Sequence, residues 1–370
     1  MTQRERFKLV ASRQKTDRAV FDLAGCPQTL IDYPETREAL KAYLGFAGGD
    51  TSGFPVDERI LKCFDIDTRI VGGMPTPQTV HNRVEGKVKF DSYGIGYRPI
   101  NGHYEICLNP LKDATIDEMM AYPLPEAAQV DRKIVKGWGE RARYLHENTD
   151  YAIIAEHPVL GVFEIGCWLF GFDDYLYRLA GEPELVHAFS KRILDYQKEV
   201  IDVYYTELGP WIDCTSSGDD FGMQSGPFMS AAMFNECIAP YFSQRIAHTK
   251  KYTDAFYEHH SCGSIHSLIP ALVHCGVDIL NPMQSGTFMM EPERLKKDYG
   301  QLVSFWGGID TQQLLPHSSA EKVEEEVQRI LAIMGTEGYI LSPAHCIQSD
   351  VPVENIAAIY NGARKFYGYT

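Results

Sequence analysis

The alternation of short apolar segments with helical segments constrains the fold of this chain more than any other feature. Seven short segments rich in β-branched, aromatic and other apolar residues are predicted to be strands. They span residues 19–23, 151–155, 211–214, 255–257, 277–280, 303–306 and 339–341. Helical patterns separate most of them, most clearly at 183–208 and 320–334. Apolar strands that alternate with helices are typical of a parallel sheet buried on both faces.

The number of these strand–helix units favours a closed barrel over an open sheet. A chain of 370 residues accommodates seven or eight such units. The sequence lacks a Gly-x-Gly-x-x-Gly phosphate turn, which is the mark of open dinucleotide-binding sheets. We therefore predict a single α/β domain, residues 1–370, folded as a (β/α)8 TIM barrel. Its eighth strand is not placed by the sequence.

Two segments depart from this alternation. Residues 1–17 are polar and predict a short N-terminal helix. Residues 86–110 are β-rich and predict a small antiparallel insert over one end of the barrel, within the same domain. The insert contains the turn pair Asn101-Gly102 and short β-rich runs at 88–90, 93–97 and 104–107.

Charge and cysteine content limit the compartment and the partners. The net charge of −15 and the pI near 5.3 argue against nucleic acid or an anionic membrane as a partner. The N-terminus has no apolar stretch of the kind found in secretory signals, and the apolar window 151–172 is interrupted by Glu156 and Glu164. Nine cysteines without disulfide-like spacing fit a reducing compartment. We expect a cytoplasmic protein that does not bind membranes.

Polar residues gather directly after the predicted strands. In a (β/α)8 barrel these loops meet at one mouth, where active sites lie. A simpler interpretation of any single loop is that Gly, Asn and Pro merely end a strand, but five such loops in order favour a site. The loops span residues 216–220, 258–263, 281–284, 307–310 and 342–346.

The segment after the strand at 255–257 carries a possible metal site. If the strand continues, its period of two places Glu258, His260 and Cys262 on one face. Carboxylate, imidazole and thiolate are all ligands that Zn²⁺ takes. Cys346, after the last strand, is the candidate third ligand, and Glu258, water or substrate would take a fourth position. Buried packing of Cys346 is the alternative, and His345 beside it is a competing ligand.

Several segments resemble the uroporphyrinogen decarboxylase superfamily, most strongly between 210 and 367. The resemblance implies a (β/α)8 barrel. True decarboxylases of this superfamily hold substrate carboxylates with arginines after the first strand, whereas residues 22–29 contain none here. The similar segments are 219–227, 260–264, 276–284 and 307–310.

The other branch of the superfamily consists of zinc-dependent methyltransferases that work with a corrinoid protein. Its His-x-Cys motif and distant cysteine resemble His260, Cys262 and Cys346, which implies a Zn²⁺ site on these residues. The chain has no Asp-x-His-x-x-Gly segment, the cobalt-ligand signature of corrinoid carriers, so the corrinoid (cobalamin) is expected on a separate partner protein.

Further site residues follow from the same resemblance. Glu258 is predicted as an exchangeable ligand or base, and Asp220 as a second catalytic candidate. Asn281, Gln284 and Asp310 are predicted to lie around the substrate or cofactor.

Within this branch, two reactions share one site. One is demethylation of a small substrate such as a methoxylated aromatic, and the other is methyl transfer from a methylcobamide to a thiol of the coenzyme M type. Aromatic residues within 163–177 favour the methoxylated aromatic slightly. A non-catalytic barrel that binds a corrinoid or zinc is a third hypothesis, and a uroporphyrinogen-type decarboxylase is a fourth.

Overall fold

Eight parallel strands form one sheet that curls almost into a closed barrel, which confirms the predicted fold class. The computed structural model describes residues 1–75, 77–100 and 103–369. Its strands are β1 (Val20–Phe21), β2 (Thr68–Gly72), β3 (Arg83–Glu85), β4 (Val88–Phe90), β5 (Gly96–Ile100), β6 (His103–Leu108), β7 (Ala152–Glu156), β8 (Cys214–Gly218), β9 (Gly222–Met223), β10 (Gly226–Pro227), β11 (Phe256–His260), β12 (Ile279–Asn281), β13 (Ser304–Ile309) and β14 (Tyr339–Pro343).

Helices surround the barrel, and the helices that the sequence predicts most clearly, 183–208 and 320–334, are confirmed residue for residue as α8 and α14. In α14 the buried residues recur at helical spacing and pack in the main apolar core. The helices are α1 (Gln3–Ala11), α2 (Pro34–Tyr43), α3 (Glu58–Cys63), α4 (Ile116–Ala121), α5 (Arg132–Asn148), α6 (Val162–Phe170), α7 (Phe172–Gly181), α8 (Pro183–Leu208), α9 (Ala231–Met233), α10 (Ala239–Thr249), α11 (Ile269–Cys275), α12 (Pro292–Tyr299), α13 (Leu314–His317), α14 (Ala320–Met334) and α15 (Val353–Tyr367).

The barrel strands follow the order β1-β14-β13-β12-β11-β8-β7-β2, and neighbouring strands are parallel throughout. The eighth strand that the sequence did not place is β2. Arg69 interrupts its apolar run, although the side chain is fully buried, with its guanidinium 3.7 Å from the ring centroid of Tyr151 and 2.8 Å from a carboxylate oxygen of Glu58. Because a charged residue interrupts the apolar run, the hydrophobic pattern of the sequence does not indicate a strand here.

Two barrel strands extend further into polar sequence than predicted. The predicted strand at 211–214 is wrong in position, because Gly209–Trp211 forms a 3₁₀ helix and β8 runs from Cys214 to Gly218. The strand predicted at 255–257 continues as β11 to His260. Ladder hydrogen bonds between parallel strands use backbone atoms only, so serine, glutamate and histidine are tolerated where the barrel interior is polar.

The insert is an antiparallel four-stranded sheet in the order β3-β4-β5-β6. The strand predicted at 93–97 lies instead at Gly96–Ile100, because Asp91 accepts the N–H groups of Tyr93 and Ile95 and shapes the preceding residues into a turn. The predicted turn pair Asn101-Gly102 lies outside the described residues. Within the described residues, no helix is long and apolar enough to cross a membrane.

Three aspartates at the N-terminal end of the barrel repeat one arrangement. Asp67, Asp213 and Asp278 each precede a strand, and each accepts the backbone N–H of a residue in the neighbouring strand, at 2.7–2.9 Å. Each also pairs with a cation. Asp67 is fully buried between Arg6 and Arg18, and its own N–H donates to Phe21 at 2.9 Å. This residue joins β1 to β2 where strand pairing is otherwise lacking.

We expect Asp67→Asn to destabilise the protein by about 3 kcal/mol, because it leaves two buried arginines without their shared carboxylate. The matched control is Asp278→Asn. It should cost about 1 kcal/mol or less, since the side chain of Asp278 is 34% exposed. Urea unfolding of the two variants measures the difference. Equal losses would show that barrel closure does not depend on the charge of Asp67.

Candidate metal centre at the barrel mouth

Three potential metal ligands converge at the C-terminal ends of the barrel strands. They are His260 at the end of β11, Cys262 two residues later and His345 in the loop after β14. One ligand atom from each lies within 4.8 Å of the other two. The His260 Nε2 atom is 3.3 Å from the Cys262 Sγ atom. Two imidazoles and a thiol form a donor set of the type that Zn²⁺ binds, with room for a further ligand.

The imidazole of His260 is held by a neighbouring strand. His260 pairs with Asn281 of β12, whose side-chain oxygen hydrogen-bonds the His260 Nδ1 atom. The Asn281 amide nitrogen lies 3.5 Å from the carbonyl of Trp306, which supports this orientation of the amide. With Nδ1 as the donor, the lone pair of Nε2 is free for a metal. Burial lowers the pKa of His260 and so keeps the ring in its neutral, ligating form.

The loop that carries Cys262 is fixed from two sides. The Cys262 N–H donates to Asp220 Oδ1 at 2.7 Å, and the Gly263 N–H donates to Gln284 Oε1 at 2.8 Å. Gly263 has a φ of +80°, and a Cβ at this position would lie 2.5 Å from the backbone of Gly222. A side chain therefore cannot be accommodated there, and the tight loop holds the thiol against His260.

Two cavities flank the donor set. The mouth cavity, about 220 Å³, is lined by fourteen residues, among them His260 and His345. The loop cavity, about 310 Å³, is lined by Cys262, Gln284, Asp310 and again His345. His345 thus borders both cavities, and a metal at the donor set would lie between them.

The mouth cavity is acidic. Three of its lining residues are Glu156, Glu164 and Asp220, and none of the described residues lining either cavity is Lys or Arg. Burial raises the pKa of Glu156 to about 7, and burial with the nearby Asp219 and Asp220 raises that of Glu164. Burial also raises the pKa of the Cys262 thiol, and Asp220 and Glu164 raise it further. A dication at the donor set would favour the thiolate of Cys262 and the ionised carboxyl groups near it, so the residues present fit Zn²⁺.

Glu258 lies on the same strand face as His260, two residues deeper in the barrel, about 7 Å away along the strand. It is fully buried, and neither carboxylate oxygen forms a hydrogen bond by distance and angle, although the Ser216 hydroxyl is near enough to lower its pKa. Burial dominates and raises the pKa of Glu258 well above its usual range. The structure does not place Glu258 in the donor set, and its role as base or exchangeable ligand stays a prediction.

Cys346 follows His345 but is not in the donor set of the structure. Its Sγ atom donates to the carbonyl of Pro27 at 3.2 Å, and burial raises the pKa of its thiol to about 12. Cys346 is nevertheless close enough to Cys262 to raise the pKa of that thiol. The structure thus brings together His260 and Cys262 as predicted, with the competing ligand His345 rather than Cys346 beside them.

Two further aspartates at the mouth accept backbone hydrogen bonds that shape the loops. Asp310 accepts the N–H groups of Gln312 and Gln313, at 2.7 and 3.2 Å, so it shapes the loop that walls the loop cavity. Asp219 is fully buried and accepts two N–H groups at the start of α6. These two hydrogen bonds tie the loop after β8 to the start of α6.

Glu156 and Glu164 line the mouth cavity but were not predicted as members of the site. The signal was present, since both carboxylates break the most apolar window of the chain. Most aromatic residues within 163–177 do not line a described cavity. Phe163, Phe170 and Tyr175 are fully buried in the core, and of the aromatic residues in this range only Trp168 borders a described cavity.

Comparisons with known proteins address the family and the fold. Residues 158–366 match the model of the uroporphyrinogen decarboxylase (URO-D) family. A solved methyltransferase from Methanosarcina mazei is 13% identical, and the match covers 100% of both chains with a TM-score of 0.67. At this identity the likeness establishes the fold alone.

Two further solved structures are less similar. A B12-independent methionine synthase from Shewanella sp. W3-18-1 is 14% identical over 62% of this chain and 65% of its own, with a TM-score of 0.38. Xylanase 10B from Thermotoga petrophila RKU-1 is 12% identical over 66% of this chain and 82% of its own, with a TM-score of 0.42. No curated protein matches the sequence.

Glu156→Gln should stabilise the protein at pH 8 by about 1–2 kcal/mol and have little effect near pH 4.5. The folded state raises the pKa of Glu156 from 4.5 to about 7. Below pH 4.5 the Glu156 carboxyl is neutral in both states and does not reduce the stability of the fold. Between pH 4.5 and 7 it ionises more readily in the unfolded state, so the loss of stability grows until the pH passes 7. Thermal unfolding of wild type and variant at both pH values measures this.

The matched control is Glu140→Gln, because the Glu140 side chain is 71% exposed and its substitution should change the stability by less than about 0.5 kcal/mol. A stability difference for Glu156→Gln that is equal at pH 4.5 and pH 8 would contradict the raised pKa.

Proposed function

The chain belongs to the uroporphyrinogen decarboxylase (URO-D) family, and on that basis we propose that it is a zinc-dependent methyltransferase. It would move a methyl group between a small substrate and the cobalt of a corrinoid protein. The observation that carries the proposal is the His260, Cys262 and His345 donor set at the barrel mouth. Members of one fold family differ in chemistry through the side chains at such a mouth.

The charge of the mouth supports this reaction over a decarboxylation. A tetrapyrrole substrate carries several carboxylates and requires cationic partners. The described residues that line the two cavities include no Lys or Arg, whereas Glu156, Glu164 and Asp220 line the mouth cavity. An anionic substrate would meet like charge in a poorly solvated site, which costs several kcal/mol. A small, uncharged methyl donor meets no such barrier.

The residues of the chain have separable roles in this proposal. His260, Cys262 and His345 hold the zinc, and Asn281 fixes the ring of His260 with Nε2 towards the donor set. When bound, zinc supplies Lewis acidity to the oxygen that leaves the methyl group, and the partner corrinoid supplies the nucleophile. Glu156, with a pKa of about 7, can hold a proton at the mouth near neutral pH.

Among methyl donors we propose a methoxylated aromatic. The sequence has no Asp-x-His-x-x-Gly segment, so we place the corrinoid on a separate protein that would dock at the barrel mouth, beside the donor set. The second candidate is a methylcobamide:thiol methyltransferase, which the same donor set supports, because zinc also lowers the pKa of a bound thiol.

We expect zinc-loaded wild-type protein to retain about one zinc per chain after desalting, and His260→Ala, Cys262→Ala and His345→Ala to lose most of it. Cys346→Ala should retain zinc, because the Cys346 thiol donates to Pro27 and lies outside the donor set. Elemental analysis by mass spectrometry gives the metal content. Zinc lost from Cys346→Ala but retained by His345→Ala would restore the ligand set predicted from the sequence.

We further expect anaerobic cob(I)alamin, mixed with zinc-loaded protein and 2-methoxyphenol, to convert to methylcobalamin. Visible absorption follows the conversion, which Cys262→Ala should abolish, while Cys63→Ala, outside the donor set, serves as a control. Loss of methylcobalamin only when a thiol is added would instead support the thiol methyltransferase. Absence of both reactions, with zinc bound, would contradict a methyltransferase.

A further inference from the structure

A third cavity lies between the β insert and the barrel mouth. This aromatic cavity, about 240 Å³, has walls formed largely by aromatic rings and prolines. The aromatic residues are Tyr93 and Tyr97 from the insert, Trp168 from α6 and Tyr196 from α8. Such walls offer flat, polarisable surfaces to an aryl ring, which packs against them by offset stacking or edge-to-face contact.

Hydrogen bonds on the insert fix the shape of this cavity. The Asp91 carboxylate accepts the N–H groups of Tyr93 and Ile95, each at 2.9 Å, and the hydroxyl of Tyr97 at 3.0 Å. The rings of Tyr93 and Tyr196 meet at 86° with their centroids 6.3 Å apart. These contacts hold three rings in place without a ligand, so little order has to be gained on binding.

The aromatic cavity adjoins the mouth cavity, and Met74, Val159 and Leu160 line both. Neither cavity has a Lys or Arg among its described lining residues, and each has at least one carboxyl group. A carboxylate ligand would find no counter-charge in either cavity.

One polar group in the aromatic cavity lacks a partner. Ser92 lines the cavity and is fully buried, and its hydroxyl has no hydrogen bond to any described residue. A buried hydroxyl without a partner costs about 1–3 kcal/mol, so a ligand oxygen that pairs with it gains affinity.

We propose that the aromatic cavity holds the aryl ring of the substrate, and that the substrate is an uncharged methoxyphenol rather than a methoxybenzoate. This inference rests on the proposed methyltransferase function and adds the substrate class. The ring lies among Tyr93, Tyr97 and Trp168, and a ring oxygen pairs with the Ser92 hydroxyl. The methoxy group then points past Val159 and Leu160 into the mouth cavity.

The test measures binding by calorimetry with protein freed of metal by a chelator, in the absence of corrinoid. We expect 2-methoxyphenol to bind and 4-methoxybenzoate to bind at least about tenfold more weakly, because the carboxylate lacks a counter-charge. Trp168→Ala should weaken 2-methoxyphenol about tenfold. Ser92→Ala should weaken it about fivefold and is a small enough change to keep the fold. The control Tyr177→Ala removes a ring that is 69% exposed and outside the cavity, and should change nothing.

Several results would overturn the inference. The first is failure of 2-methoxyphenol to bind. The second is binding of 4-methoxybenzoate or of tetramethylammonium that equals or exceeds the binding of 2-methoxyphenol. The third is an affinity for 2-methoxyphenol that is unchanged in both Trp168→Ala and Ser92→Ala. The cob(I)alamin assay separates this failure from failure of the proposed function. Binding that depends on Trp168 without methyl transfer would contradict the reaction and leave the aryl site in place. Methyl transfer that is unchanged in Trp168→Ala and Ser92→Ala would support the reaction and contradict the aryl site.

Discussion

Closure of the barrel depends on one buried carboxylate. Asp67 accepts the Phe21 N–H and is paired with Arg6 and Arg18, so it joins β1 to β2 where the ladder is missing. Removing one partner from a buried ion pair is strongly destabilising, because the other charge stays buried without a counter-charge. Its position matters because β1 and β14 are neighbours in the sheet. On its other side, β14 is joined through β13 and β12 to β11, and the loop with His345 lies at the same mouth as the end of β11.

The interior of the barrel changes from apolar to acidic along its axis. At the N-terminal end, Phe7 of α1 packs among apolar strand residues. Above this layer, burial raises the pKa of both Asp22 and Glu258, the former to about 6 despite hydrogen bonds from Thr29, Thr68 and the Trp306 indole. The mouth adds further carboxyl groups. Buried acid is unfavourable by itself, and a divalent cation at the donor set would favour the ionised carboxyl groups at the mouth, which adds support to the zinc proposal.

The family and the local chemistry carry different information. Membership in the URO-D family accounts for the barrel and for a mouth formed by loops, but the family name describes a reaction whose substrate carries several negative charges. The cavities of this chain supply carboxyl, imidazole and thiol groups in place of guanidinium groups. A fold constrains where a site lies, whereas the reaction follows from charge and ligand type at that place.

The sequence by itself determined the architecture and the local half of the site. Helical periodicity located α8 and α14, and the two-residue period of β11 placed His260 and Cys262 together, because both relations act over a few residues. Arg69 concealed β2, since a buried ion pair has no hydrophobic signature. Only the tertiary structure brought His345 to the donor set in preference to Cys346. Adjacent residues in a loop point in different directions, and which of them faces β11 is decided by how the loop packs, with the Cys346 thiol against Pro27, and not by spacing along the chain.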